Sequence, residues 1–280
     1  MSTAHRRPVA LITGASRGIG AACALALAAA GYDLALCART LRDGDGRNDR
    51  LGGPLAGGLD TVCTRAESFG ANAVAFKMDL LDRPEVLAST DAAVARFGRI
   101  DVLLNNGIYQ GPGTMLELAD LGDDELRRVF EGNVFAPIAI IKAVAPVMAA
   151  HGGGTILNMI SATAFANPKG RIGDGGWGMA YAASKAAFSR VAPMLHVELG
   201  HAGIRAYSGD PGRVVTEAQR QSAASTGFDR HYVGGTAEQV AAAVRWLVTA
   251  DPSQTDALRG KVVDLQRITH ERRLEPLAQG

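Results

Sequence analysis

Tyr181 and Lys185 stand four residues apart, so on a helix they share one face. A free tyrosine has a pKa near 10 and is a poor base at neutral pH. A neighbouring ammonium favours the phenolate and makes the pair a candidate proton carrier. Lys185 is one of five lysines in a chain with 24 arginines, which makes a chance lysine at this spacing less expected. Taken singly, a half-buried helix aromatic and a solvated helix charge look the same.

A second constellation lies near the start. Thr13-Gly14-Ala15-Ser16-Arg17-Gly18-Ile19-Gly20 follows an apolar run and precedes a helical pattern. In that setting a glycine pattern points to dinucleotide binding. Gly14 allows a tight turn, Gly18 lets the backbone approach a pyrophosphate, and Gly20 lets helix and strand pack closely. The free N–H groups of the helix start then face the phosphates.

The elements that must position these groups alternate along the chain. Pro8–Thr13, Asp33–Ala38, Ala73–Met78, Ile100–Asn105, Thr155–Ile160, Ile204–Ser208 and Lys261–Leu265 read as strands. They lack clean alternation, as expected of a parallel sheet buried on both faces. Ile19–Ala30, Gly58–Phe69, Pro84–Phe97, Asp123–Ala150, Ala180–Leu199 and Thr236–Thr249 read as helices, with N-terminal signals at Asp123 and Thr236. The alternation predicts one α/β domain over 1–280, a doubly wound parallel sheet of about seven strands with helices on both faces. Its core covers about residues 8–265, and the polar tail 266–280 is left open. The Gly-, Asp-, Asn- and Pro-rich run 43–58 reads as an inserted surface loop.

Composition removes whole classes. Lys plus Arg is 29 and Asp plus Glu 28, a net charge of +1. Nucleic-acid binding, which needs an excess of positive charge, is not expected. The 34 glycines have no G-X-Y period, so collagen is excluded. Cys23, Cys37 and Cys63 show no metal-ligand spacing and fit small buried side chains in a reducing compartment. His151, His196 and His231 lack a second ligand nearby, so no metal is expected. Arg6-Arg7 resembles a twin-arginine leader, but the strand-like run Val9 to Ile12 follows at once, and export is not expected. No run of 18 uncharged apolar residues exists, so no membrane span is expected.

The glycine turn reads TGxxxGxG, and here the chain resembles the short-chain dehydrogenase/reductase family. The likeness recurs in order. Asn105-Asn106-Gly107 stands for NNAG, Asn133 for the helix asparagine and Ser161 for the serine at a strand end. Tyr181-Ala182-Ala183-Ser184-Lys185 matches YxxxK, and Pro211-Gly212-Arg213-Val214-Val215-Thr216 matches PGxxxT. The resemblance covers about residues 8–265. It implies a Rossmann-type three-layer αβα fold and hydride transfer between a carbonyl and an alcohol. Tyr181 would be the general acid/base, with Lys185 lowering its pKa and holding the nicotinamide ribose. Ser161 would steady the substrate oxygen, and Asn133 a water of the proton relay. Cofactor contacts are implied for Gly14, Ser16, Arg17, Gly18, Ile19, Gly20, Arg39, Asp79, Leu80, Asn105, Tyr181, Lys185, Pro211, Gly212, Val214 and Thr216.

NAD-selective members of that family carry an acid where this chain has Ala38, followed by Arg39. Arg17 and Arg39 without a carboxylate suit a 2′-phosphate, so NADP(H) is expected, with NAD(H) possible. Asp79 is also what a helix-capping acid looks like. A small-molecule carbonyl or alcohol substrate, a cytoplasmic location and a homodimer or homotetramer through the two long helices are implied. The chain departs from the pattern at Gly107-Ile108, at Ala206-Tyr207, and in the 20-residue interval from Ser161 to Tyr181. The glycine-rich run 168–178 in that interval is expected to wall the substrate pocket, with Trp177 or Arg171 near substrate; a solvated loop is the equal alternative. The segment from Pro211-Gly212 to Thr226 is expected to be a mobile substrate lid. The alternatives are an NAD-dependent alcohol or hydroxysteroid dehydrogenase and a non-catalytic nucleotide-binding scaffold.

Overall fold

Strand β1, Val9–Thr13, is buried on both sides. Val9 and Leu11 join one apolar cluster, Ala10 and Ile12 the other. This is the geometry that hides alternation in the sequence, since both faces are covered. A computed structural model of the chain describes residues 7–172, 174–226 and 234–278. After β1 come α1 (Gly18–Ala29), β2 (Asp33–Ala38), and a short hairpin of β3 (Gly46–Arg47) and β4 (Pro54–Leu55). Next are α2 (Leu59–Glu67), β5 (Ala73–Lys77), α3 (Arg83–Phe97), β6 (Val102–Asn105), α4 (Asp123–Phe130) and α5 (Ala136–Ala150). Then follow β7 (Gly154–Met159), α6 (Met179–Ser189), α7 (Val191–Leu199), β8 (Ile204–Asp210) and α8 (Glu217–Thr226). The chain closes with α9 (Ala237–Thr249), α10 (Pro252–Thr255), β9 (Val262–Asp264) and α11 (Leu265–Glu271).

The main sheet has seven strands in the order β5-β2-β1-β6-β7-β8-β9, all parallel. The strand order reverses between β1 and β6, which opens a crevice at their carboxyl ends. Helices α1, α9 and α11 cover one face, and α3, α5 and α7 the other. The fold is the expected Rossmann-type αβα arrangement.

Two long helices depart from expectation, each for a local reason. The run 123–150 is interrupted by a π-helical turn, Glu131–Phe135, in which the Ala136 N–H donates five residues back to Glu131 O. Pro137 has no N–H to return to Asn133, so the regular ladder cannot continue there. The run 180–199 breaks at Arg190. Pro193 cannot donate to Ser189 O, and that carbonyl accepts from Ser208 Oγ instead, at 3.3 Å. Helix α4 starts at Asp123 behind Gly122, which gives no side-chain cap, whereas Thr236 forms the expected cap, a reciprocal capping box with Gln239. Among the described residues, Asp123–Ala150 alone is long and apolar enough to cross a membrane, and slightly over half of its apolar window is buried in the fold.

The inserted run 43–58 lies at the surface as expected, but it is ordered by the β3–β4 hairpin rather than being a plain loop. Leu55 and Asn48 are buried, and Asn48 Oδ1 accepts from Arg50 N and Leu51 N at 3.1 Å, closing the hairpin tip. The tail also packs back, with Leu265 and Ile268 in the core and Leu274 and Leu277 against it.

Candidate active site

The glycine turn is wedged against the end of β6. Gly14 has φ +65°, where a side chain is strained, and a Cβ there would lie 2.7 Å from Gly107 Cα. A Cβ on Gly20 would lie 2.2 Å from Gly14 O. Thr13 Oγ1 ties the two strand ends, accepting from Asn106 N at 3.1 Å and Gly107 N at 2.9 Å. Helix α1 has no side-chain cap and no acid in its first turn, and a Cβ on Gly18 would meet only Thr216, 3.3 Å away at its nearest. An uncapped helix start flanked by Gly14 and Gly18 fits a dinucleotide's pyrophosphate. Ser16 and Ile19 flank this opening, Ser16 buried and Ile19 half-buried.

The adenosine end is more occupied than expected. Arg17 Nε donates to Ala56 O at 2.9 Å, and its Nη2 to Gly57 O at 2.8 Å and Thr40 Oγ1 at 3.1 Å. Burial, then the charge of Arg39, lowers its pKa. Arg39 Nη2 donates to both oxygens of Asp49, at 2.8 and 2.7 Å. Asp79 Oδ1 accepts from Leu81 N at 3.0 Å, while Asp82 caps α3. Leu80 is half-buried beside them. Asn105, expected at the cofactor, is buried in the sheet and donates to Asn158 Oδ1 at 2.9 Å.

The other end is assembled by α6. The π-turn packs on α6, and Asn133, fully buried, donates to Ser184 Oγ at 3.3 Å and accepts from Tyr109 N at 2.7 Å. Ser184 Oγ in turn donates to Tyr181 O at 2.8 Å. Lys185 is fully buried, and its Nζ donates to Met159 O at 2.8 Å, two residues before Ser161. Burial pushes its pKa down to about 7, against a smaller upward pull from Asp210. Ser161 is half-buried and accepts from Thr163 N at 3.3 Å, at the head of a 3-10 turn, Ala162–Ala164, that packs on α6. Tyr181 is half-buried on the same helix.

The far wall is the segment after β8. Gly212 has φ +63° and donates to Asp210 Oδ1 at 3.0 Å. Val214 is buried and bridges Gly235, and Thr216 Oγ1 accepts from Gln219 N at 3.3 Å, starting α8. Arg171 points to Glu117 in an exposed ion pair rather than into the cleft. Trp177 lines a shallow cavity with Thr163, Ala166, Pro168, Met179, Ala182 and Ala183. Among the described residues no cluster of His, Cys, Asp and Glu could hold a metal; His231 lies outside them.

A family model described as short chain dehydrogenase matches residues 8–227. The chain belongs to the short-chain dehydrogenase family. It is 30% identical to the 7alpha-hydroxysteroid dehydrogenase of Escherichia coli (strain K12) over 209 residues, 75% of this chain and 72% of that protein. It is 32% identical over 210 residues to the trans-4-hydroxycyclohexanecarboxylate dehydrogenase of Sinomonas cyclohexanicum, 74% of this chain and 73% of the relative. A 7 alpha-hydroxysteroid dehydrogenase solved with NADH and 7-oxo glycochenodeoxycholic acid superimposes with a TM-score of 0.72 at 27% identity, covering 92% of each chain.

Two residues of this short-chain dehydrogenase escaped the sequence reading. Gln266 of α11 donates to Pro211 O at 2.6 Å and Arg213 O at 2.7 Å, pinning the PGxxxT segment from the tail. Asp210 is a largely buried acid whose pKa is raised by burial, and it acts electrostatically on Lys185. Its place directly before Pro211-Gly212 was the available signal. Gln266 carried none.

Proposed function

We propose that this short-chain dehydrogenase interconverts a carbonyl and an alcohol, with Tyr181 as general acid/base. The carrying observation is the arrangement on α6. That helix delivers Tyr181 half-buried and Lys185 fully buried to the carboxyl end of β7, with Lys185 Nζ bound 2.8 Å from Met159 O beside Ser161. When bound, the nicotinamide supplies or accepts the hydride. In the reducing direction the Tyr181 hydroxyl gives its proton to the substrate oxygen. Ser161 donates a hydrogen bond to that oxygen as charge develops on it. The Lys185 ammonium favours the phenolate that remains, and Asn133 fixes the Tyr109 and Ser184 segments around a proton path. Gly14, Ser16, Gly18, Ile19 and Gly20 would hold the pyrophosphate. Pro211, Gly212, Val214 and Thr216 would face the nicotinamide.

Both relatives named above act on secondary ring alcohols, which supports an alicyclic ketone or alcohol as substrate. Arg39 beside Ala38, with no acid at the strand end, supports NADP(H). The Arg39–Asp49 pair favours NAD(H) as the second reading. The exposed apolar side chains Phe135, Met194 and Val197 on the long helical runs support a homodimer or homotetramer. The three unpaired thiols support a cytoplasmic location. The test is turnover of a carbonyl and alcohol panel, led by ring ketones, with NADPH and with NADH. Tyr181→Phe should lower kcat/KM by about 1,000-fold and leave the cofactor Kd within a few-fold. Turnover of no substrate, with dinucleotide still bound, would instead establish a non-catalytic nucleotide-binding protein.

A further inference from the structure

Asp49 has so far entered only as the partner of Arg39. It stands between β3 and β4, on the hairpin inserted after β2, with both carboxylate oxygens within hydrogen-bond distance of Arg39 Nη2. The hairpin is held at three places. Arg17 grips its base through Ala56 O and Gly57 O. Asn48, adjacent to Asp49, donates to Gln221 Oε1 of α8 at 3.3 Å, and Gln221 Nε2 donates to Pro54 O at 2.8 Å. Gly46 sits so close that a Cβ would fall 2.2 Å from Arg17 Nη2. A packed element therefore delivers Asp49 to Arg39.

The chemistry of that pair bears on the ribose 2′ position. A 2′-hydroxyl asks for an acceptor, and a 2′-phosphate asks for cations free of other anions. Strand β2 ends on Ala38 and offers no acceptor. Asp49 places a carboxylate beside the next residue and neutralises its guanidinium. A 2′-phosphate must displace this carboxylate or meet it as a like charge. We propose that Asp49 is the specificity-determining residue of the 2′ position. The inserted hairpin supplies the carboxylate that β2 lacks, and that carboxylate weakens binding of 2′-phosphorylated dinucleotides. The inference rests on the oxidoreductase reading but concerns binding, so it is tested without turnover.

The full-length protein is titrated with NADH, NADPH, 5′-AMP and its 2′-phosphorylated counterpart by calorimetry. Asp49→Asn should tighten NADPH and the 2′-phosphorylated fragment by about tenfold, about 1.4 kcal/mol. NADH and 5′-AMP should stay within threefold or weaken. Asp45→Asn makes the same charge change at an exposed neighbour and should leave the NADPH-to-NADH ratio within twofold. In an Arg39→Ala background, Asp49→Asn should change that ratio by a smaller factor, because the like-charge contact remains but the guanidinium it neutralises does not. An unchanged ratio in Asp49→Asn, or an equal shift in Asp45→Asn, overturns the assignment while leaving the dehydrogenase reading intact. Failure of the unaltered protein to bind either dinucleotide overturns both.

Discussion

The two ends of the cleft are held in different ways. Where β7 and the π-turn meet α6, Asn133, Ser184 and Lys185 are buried, and loop, helix and sheet groups satisfy them directly. At the adenosine end, Arg39 and Asp49 are partly exposed, and their placement depends on an inserted hairpin clipped to α1 and α8. The first arrangement conserves a chemistry, because moving any member disturbs the core. The second can be rebuilt by changing a surface element, so that is where one member of a family can be made unlike another.

The sharpest way to test this contrast is Lys185→Met. Turnover should fall by at least about 100-fold at pH 7, and the stability profile should change shape. The folded pKa is about 7 and the ordinary value 10.5. Between those values the unfolded chain holds more protons. The burial cost is then present in full below pH 7 and relieved as pH rises toward 10.5. The difference in unfolding free energy, native minus variant, should therefore rise between pH 7 and 9. Denaturant titration at four pH values reads it, and a flat difference would show that Lys185 is not buried as a charge. Asn133→Ala comes next. It leaves the Tyr109 N–H without its acceptor, and should cost about 2 kcal/mol, a fall in Tm of about 4–8 °C. A silent variant would mean that the catalytic end is softer than its burial implies. Gln221→Ala is the mildest. Stability should stay within about 0.5 kcal/mol, while the NADPH and NADH Kd values shift together by no more than threefold. A large loss of stability would make the hairpin part of the core and erase the contrast.

The legible parts of the molecule were those set by local spacing. Tyr181 and Lys185 announce a shared helix face, and Gly14 and Gly20 announce a turn whose contacts lie within a few residues or at the next strand end. The strand positions followed from short apolar runs. The illegible parts are set by partners far along the chain. Asn48 meets Gln221 across 173 positions, and Gln266 reaches Pro211 across 55. A polar run such as 43–58 reads as solvated until something is found to receive its amides. Arg39 was correctly placed at the end of β2, but its charge could not be weighed without Asp49, ten positions on. Asn105 was assigned by motif, and the sheet also pairs it in register with Asn158, whose Oδ1 accepts its amide N–H. Pro137 and Pro193 lie within the two long helical runs, and their missing N–H groups mark where those runs change or break.

The π-turn at Glu131–Phe135 carries a consequence for how this chain could change length. A π-turn holds one more residue than the α-helical turn it replaces, and each residue of an α-helix advances about 100°. That extra residue is taken up within the turn, so removing it would restore a regular spiral while α4 and α5 keep the faces they now present. The loss would fall on the turn itself, where Asn133 holds Tyr109 N and Ser184 Oγ. A one-residue deletion in this interval should therefore disturb the site before it disturbs the fold.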